Sequence, residues 1–158
     1  MVGDGRALEA DEARLAEELG AALVRADFGI VCGGLAGVME AVCRGAVKER
    51  GKGQWPPVIG ILPSYDLAGG NAYLDVAIPS GMGHARNALV AAAGDAVVCV
   101  GGAMGALSEV ALARKIGRPV VALRPSGGTA ALVAKAIPTV TAVDGVQDAI
   151  ARLRELLA

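Results

Sequence analysis

Two spacings of apolar residues alternate along the chain. Leu8, Leu15, Leu19 and Leu23 recur four or seven residues apart, which is typical of one face of a helix. This spacing predicts a helix over Ala7–Ala26. Similar patterns of apolar residues predict helices over Gly37–Arg50, Gly83–Gly94, Gly105–Ile116, Thr129–Ala136 and Val146–Leu157. Short continuous apolar runs predict strands over Phe28–Cys32, Val58–Leu62, Tyr73–Ile78, Ala96–Val100, Val120–Leu123 and Thr139–Val143.

The predicted strands and helices alternate from one end of the chain to the other. Because the strands are continuously apolar, both faces of their sheet are expected to be covered. The pattern predicts an α/β fold, a doubly wound parallel sheet with helices on both faces, in a single domain over residues 1–158. Only Met1–Gly3 precedes the first helix, whereas such a domain usually begins with a strand. Either the first strand is therefore reduced to a stub, or the start of the chain is trimmed.

Composition narrows the classes of function. Of 158 residues, 23 are glycine and only 3% are aromatic, so small side chains must pack closely around tight turns. A net charge of -1 argues against nucleic acid or an anionic membrane as a partner. The longest apolar stretch, Ala96–Leu107, is too short to span a bilayer, and no secretory signal opens the chain. Three cysteines and one histidine show no metal-ligand spacing, so we expect a cytoplasmic protein without a metal site.

Two glycine-rich turns each join a predicted strand to a predicted helix, at Val31–Glu40 and Val100–Glu109. In such sheets, ligands bind beyond the carboxyl ends of the strands. Glycine lets the backbone approach a ligand, and the helix N-terminus offers free N–H groups to a phosphate. Neither turn has the lysine of a Walker loop or the G-x-G-x-x-G pattern. The alternative is that these glycines only permit tight turns.

Polar residues near the second turn are not explained by the fold. Arg86 and Asn87 lie in the first turn of a predicted helix, where a cation opposes the helix dipole. A bound anion would explain Arg86, and the alternatives are an exposed arginine or one paired with a carboxylate. Glu109 lies about one turn into its helix, where it could instead cap the first turn. His84 is more consistent with a loop histidine, and Met39 and Met104 with the lining of a pocket or of the core.

Three blocks of sequence together resemble one family: Cys32–Ala41, Gly83–Asn87 and Gly101–Glu109. The chain resembles the Lonely-Guy (LOG) and SLOG group of Rossmann-like proteins, formerly called lysine decarboxylase-like. It is most similar to the short bacterial branch that includes proteins like molybdenum cofactor carriers. The resemblance runs from Asp27 to Val121.

The third block resembles the P-G-G-x-G-T-x-x-E signature of phosphoribohydrolases, with departures. Gly101 stands where that signature has proline, Ala103 where it has its second glycine, and Ala106 where it has threonine. The glutamate is retained as Glu109 and the arginine of the preceding helix as Arg86. The resemblance implies ligand contacts from the two turns and the preceding helix, at Gly33, Gly34, Gly37, Met39, Asn87, Gly101, Gly102, Ala103, Met104, Gly105 and Ala106.

Two functions follow from the resemblance. As an enzyme, the protein would hydrolyse a nucleoside 5′-monophosphate to a base and ribose 5-phosphate. Arg86 would then hold the substrate and Glu109 would stabilise the oxocarbenium-like transition state. As a carrier, it would bind a phosphorylated ligand such as a nucleotide or the molybdenum cofactor without turnover; a nucleotide sensor is a further alternative. The retained Arg86 and Glu109 favour the enzyme, whereas Ala106 favours the carrier.

The resemblance also implies assembly. Family members of this kind form homodimers or higher homo-oligomers. The alanine-rich helix Ala85–Ala93 is suited to pack against a second subunit, because small residues let two helices approach closely. No cofactor is expected to be required.

Overall fold

The computed structural model describes residues 1–3, 5 and 8–158. The described residues form the helices α1 Ala10–Arg25, α2 Val38–Arg50, α3 Asn87–Ala93, α4 Met104–Lys115, α5 Gly128–Ala136 and α6 Val146–Leu156. The strands are β1 Ile30–Cys32, β2 Val58–Leu62, β3 Val76–Pro79, β4 Val97–Val100, β5 Val120–Leu123 and β6 Thr141–Val143. Within the described ranges, no helix has both the length and the apolar character needed to cross a membrane.

All strand pairs are parallel, in the orders β3-β2-β1 and β4-β5-β6. The first two residues of the chain join these two halves. The Val2 N–H donates to Val98 O at 2.9 Å and Val2 O accepts from Val100 N at 3.0 Å. The Met1 nitrogen donates to Val31 O at 2.8 Å. The N-terminal residues therefore lie as a strand stub in the middle of the sheet.

Three helices cover each face of the sheet. Helices α1, α2 and α6 share one apolar cluster with the strands, and α3, α4 and α5 share the other. Glycines allow α1 and α2 to touch, since a Cβ at Gly20 would overlap the carbonyl group of Val42, and one at Gly45 that of Glu17. The prediction of a doubly wound α/β fold with helices on both faces is confirmed.

Several predicted boundaries are corrected by local hydrogen bonds. Phe28 is not in β1, because its N–H donates to Leu23 O in the turn that ends α1. Tyr73 precedes β3, because the side chain of Asn71 accepts its N–H at 3.1 Å in a turn. The predicted helix over 83–94 is a 3₁₀ turn followed by α3. The start of the predicted helix at Ala7 lies outside the described residues.

Strand β3 departs from the expectation that both faces of every strand are covered. It lies at the edge of the sheet, and Val76 and Ile78 remain 48% and 44% exposed. A continuous apolar run indicates a strand, but it does not tell whether the strand is central or at the edge.

Candidate functional site

The two glycine-rich turns meet at a cavity of about 220 Å³ beyond the carboxyl ends of β1 and β4. Both turns, the segment around Arg86 and residues near the N-terminus line the cavity. The lining is formed by Met1, Val2, Gly3, Gly5, Gly33, Leu35, Met39, His84, Arg86, Asn87, Gly105, Ala106 and Glu109. The location agrees with the sequence-based expectation for a sheet of this type.

Arg86 and Glu109 form a buried ion pair at this cavity. The Nη1 atom of Arg86 lies 3.3 Å from Oε1 of Glu109, and the two residues are 8% and 4% exposed. Arg86 also donates to Oδ1 of Asn87. Its Nε atom is buried and has no hydrogen-bond partner within the described part of the chain. The alternative of an exposed arginine is wrong, and the pairing with a carboxylate is confirmed.

Glu109 has an unusual environment for a carboxyl group. Burial raises its pKa to about 7, and the guanidinium of Arg86 acts in the opposite direction. The folded protein therefore holds the proton of Glu109 to a higher pH than an exposed glutamate does. The alternative that Glu109 caps the first turn of its helix is wrong, because Glu109 is the sixth residue of α4 and its carboxylate pairs with Arg86.

Gly33 gives the guanidinium of Arg86 its space. A Cβ built at Gly33 would lie 2.8 Å from Cζ of Arg86 and 2.9 Å from Sδ of Met39. Real side chains do not approach this closely, so any residue other than glycine would displace Arg86 or Met39. The first glycine-rich turn therefore presents bare backbone at Gly33, and the guanidinium of Arg86 lies against it.

The N-termini of two helices point to the same edge of the sheet. Helix α2 has Gly37 as its N-cap and α4 has Ala103, and neither has a side-chain hydrogen bond to its first turn. The N–H groups of a first turn have no partner within the helix, and they carry partial positive charge. Together with Arg86, they make this edge suited to an anion.

Six of the predicted ligand-binding residues do not line the cavity: Gly34, Gly37, Gly101, Gly102, Ala103 and Met104. Gly34 packs against the sheet instead, because a Cβ there would lie 3.1 Å from Cα of Gly60. The N–H of Gly101 donates to Oγ of Ser126 at 2.7 Å. Met104 is 77% exposed. The cavity brings together Gly33, Met39, Arg86, Asn87, Gly105, Ala106 and Glu109.

A third glycine-rich turn, after β5, supports the second and was missed by sequence reasoning. Thr129 donates from its N–H to Gly102 O and from Oγ1 to Ala103 O, both at 2.9 Å. Ser126 Oγ accepts from Gly101 and donates to Leu123 O. Adjacent glycines at 127 and 128, directly after a strand, were the available signal. These contacts set the backbone of the second turn.

Replacing Ser126 by alanine is expected to lower the free energy of unfolding by about 1–3 kcal/mol, because the buried N–H of Gly101 loses its acceptor. Urea unfolding of both proteins measures the loss. Thr139→Ala is the control, since Thr139 is exposed and surface substitutions change stability by about 0.5 kcal/mol or less. An equal effect of the two substitutions would contradict this role of Ser126.

The sequence model of the SLOG cluster4 family matches residues 1–150 of the chain. The chain belongs to the SLOG cluster4 family. An uncharacterised protein of Archaeoglobus fulgidus is 39% identical to it over 128 residues, which cover 79% of this chain and 78% of that protein. The resemblance seen in the three glycine-containing blocks is confirmed.

Solved structures agree with this assignment to the family. The protein TM1055 superposes with a TM-score of 0.88 at 26% identity, over 98% of this chain and 96% of that one. The molybdenum cofactor binding protein of the phototrophic bacterium Rippkaea orientalis gives 0.85 at 29% identity, over 99% and 94%. The molybdenum cofactor carrier protein of Chlamydomonas reinhardtii gives 0.82 at 30% identity, over 99% and 95%.

Proposed function

We propose that the SLOG protein binds a phosphorylated small molecule in the cavity at Arg86 and releases it unchanged, with the molybdenum cofactor as the first candidate cargo. The observation that carries the proposal is that the buried Arg86 shares one cavity with first-turn residues of two uncapped helices, Met39 of α2 and Gly105 and Ala106 of α4. Similarity to molybdenum cofactor binding and carrier proteins over nearly the whole chain supports the choice of cargo.

The electrostatics of the cavity favour an anion. Burial raises the pKa of Glu109 to about 7 and so disfavours the ionised carboxylate that would neutralise Arg86. Its Nε–H has no protein partner among the described residues, and a buried donor without an acceptor is costly. A phosphate oxygen at the cavity would accept hydrogen bonds from the arginine and from N–H groups of α4.

The size of the cavity sets how much of a ligand it encloses. Pockets that bury most of a drug-sized ligand measure about 300–1,000 Å³, whereas this one measures about 220 Å³. It suits a phosphate group and the atoms next to it. The remainder of the ligand would extend over the rim, where His84 and Met104 are exposed. A ligand held by its phosphate end can be handed on intact.

Two features argue for binding without turnover. Ala106 supplies no hydroxyl group at the helix start. Glu109 is engaged with Arg86 at 3.3 Å, so its carboxylate is not free to stabilise a developing positive charge on a sugar ring. Both features weaken catalysis, whereas the backbone N–H groups at the start of α4 do not depend on either side chain.

Hydrolysis of nucleoside 5′-monophosphates is the second candidate function. It is favoured by the convergence of Arg86 and Glu109 at one cavity, although 23 residues separate them in sequence. If a substrate phosphate drew the guanidinium away, the released carboxylate would face the ribose. It would then stabilise the oxocarbenium-like transition state while a water molecule attacks the anomeric carbon.

Binding is tested by loading the protein with molybdenum cofactor released from a molybdenum enzyme, followed by gel filtration. Molybdenum is measured by mass spectrometry and the pterin by fluorescence after oxidation. We expect the wild type to retain both in equal amounts and Arg86→Ala to lose both. Arg118→Ala is the control, because Arg118 is a partly exposed arginine that does not line the cavity. Absence of cofactor from the wild type would contradict the choice of cargo.

Turnover is tested by incubating the wild type and Glu109→Gln with a panel of nucleoside monophosphates and separating released bases by chromatography. We expect no base from either protein. Release by the wild type that disappears in Glu109→Gln would establish the hydrolase and refute binding without turnover. Glu155→Gln, at an exposed glutamate of α6, is the control for the substitution itself.

A further inference from the structure

The guanidinium of Arg86 serves both the ion pair with Glu109 and the proposed phosphate site. Its Nη1 atom lies 3.3 Å from Oε1 of Glu109, and both residues line the same cavity. Both are buried, so water screens their charges poorly. A phosphate bound at Arg86 therefore shares one buried cation with the carboxyl group of Glu109.

Two anions on one guanidinium repel each other strongly. Hydrogen bonds from a guanidinium to an anion measure about 2.7–2.9 Å, so a phosphate oxygen bonded to Arg86 would lie within roughly 8 Å of the carboxyl oxygens of Glu109. At an effective dielectric constant of about 20, two unit negative charges about 7 Å apart weaken association roughly 50-fold. A protonated carboxyl group removes this repulsion, and the ligand then has the charge of Arg86 to itself.

The surroundings of Glu109 make such protonation accessible. The two cations that favour its ionised form are Arg86, in the 3₁₀ turn before α3, and the nitrogen of Met1. Burial outweighs both of them and raises the pKa of the carboxyl group to about 7. A nearby phosphate would raise this pKa further, since a second negative charge disfavours the ionised form.

The elements packed against α4 bring little further charge to this carboxyl group. Helix α3 and strand β5 contain no titratable residue, and the basic residues of α4 and α5 lie in their last turns, at Arg114, Lys115 and Lys135. Strand β4 brings Cys99, whose pKa is raised to about 12 by burial, so its thiol stays neutral near pH 7. His84 lines the same cavity, and imidazole is a group that titrates near neutral pH, so the experiment must separate it.

We propose that the cavity binds a phosphate monoester together with one proton, which Glu109 takes up from the solvent as the ligand enters and returns as it leaves. The inference rests on the proposed function and adds a regulation of the same site. Binding is expected to be tightest below pH 7 and to weaken above it, so that a rise in pH promotes release. A carboxyl group kept protonated by the ligand does not stabilise a positively charged sugar ring, which agrees with binding without turnover.

The probe is ribose 5-phosphate, a phosphate monoester without a base to release. Its phosphate has a second pKa of about 6, so it is ionised at pH 8. Titration calorimetry at pH 8, in buffers of different ionisation enthalpy, counts the protons taken up with the ligand. We expect more than about half a proton for the wild type and none for Glu109→Gln, whose side chain is neutral at every pH.

The affinities measured in the same titrations give a second test. With a pKa of about 7, roughly one wild-type molecule in eleven is protonated at Glu109 at pH 8. Glu109→Gln is therefore expected to bind ribose 5-phosphate about tenfold more tightly than the wild type at pH 8. At pH 6, where most wild-type molecules are protonated, the two affinities are expected to be equal.

Two variants are controls for the assignment of the proton. Glu155→Gln, at an exposed residue of α6, is expected to behave as the wild type, and His84→Asn to keep the proton uptake. Equal proton counts in the wild type and Glu109→Gln, or loss of the uptake in His84→Asn, would overturn this inference and leave the phosphate site standing. Absence of binding by the wild type at pH 6 would instead overturn the proposed function and this inference with it.

Discussion

Replacing Gly105 by aspartate is expected to weaken binding of the phosphorylated ligand about 100-fold or more, because like charges brought together at an interface cost several kcal/mol. Gly105 is exposed and lines the Arg86 cavity. A Cβ there meets nothing closer than Nδ2 of Asn87 at 4.0 Å. The substitution is therefore expected to add a carboxylate at the cavity without displacing its walls. This carboxylate would repel a phosphate.

The same substitution is expected to leave the fold as stable as before or more stable. Gly105 is the second residue of α4, where a negative charge is favoured by the helix dipole and where glycine is a poor helix former. Gly105→Ala is the matched control, and we expect it to gain roughly 0.5–1 kcal/mol while it keeps most binding. Cofactor retention and thermal unfolding of the three proteins measure both effects.

Undiminished loading of Gly105→Asp would show that the ligand does not place its phosphate at the start of α4. Loss of binding in both variants would instead indicate that the backbone must approach the ligand at this position. The first outcome would require a different geometry for the bound phosphate than the one proposed, whereas the second would agree with a phosphate held by N–H groups of α4.

The wild type is expected to lose stability relative to Glu109→Gln as pH rises from about 4.5 to about 7. Burial raises the pKa of Glu109 from 4.5 to about 7 in the folded protein, so the folded state binds the proton more tightly than the unfolded state. The free energy of unfolding therefore falls through this window. A shift of this size corresponds to a change on the order of 3 kcal/mol.

Urea unfolding at intervals from pH 4.5 to pH 8 measures this dependence, and the quantity of interest is the difference between the two proteins at each pH. The shifted pKa of Glu17 does not mimic it. The pKa of Glu17 is lowered by its hydrogen bond to Lys48, so its contribution is lost only as pH falls below its ordinary range. Glu155→Gln serves as the control, and a parallel course for all three proteins would contradict the buried state of Glu109.

Several residues of the site could be predicted because their chemistry conflicts with their position. Arg86 stands in a helix start, where a cation is unfavourable, and Gly33 stands in a turn after a buried strand. Both line the cavity. That Glu109 is the carboxylate paired with Arg86 could not be predicted, since the pair joins the 3₁₀ turn before α3 to α4 across 23 residues of sequence.

The contacts that hold the second glycine-rich turn from outside the motifs could not be predicted either. Ser126 and Thr129 act on the backbone of a turn about 25 residues earlier, and their residue types alone do not indicate this. Gly34 and Gly101 belong to the motifs, yet they serve packing and hydrogen bonding within the fold. A glycine in a motif indicates that another group approaches the backbone closely. The sequence does not tell whether that group is a ligand or another part of the protein.

The order of strands and helices is determined by sequence alone, because apolar periodicity and glycine turns are local properties that act within about ten residues. Family membership follows from three short blocks for the same reason. Only the tertiary structure decides that Val2 lies at the centre of the sheet, and that it joins the two halves. These features depend on hydrogen bonds across 30 or more residues, whose partners are peptide groups common to every sequence.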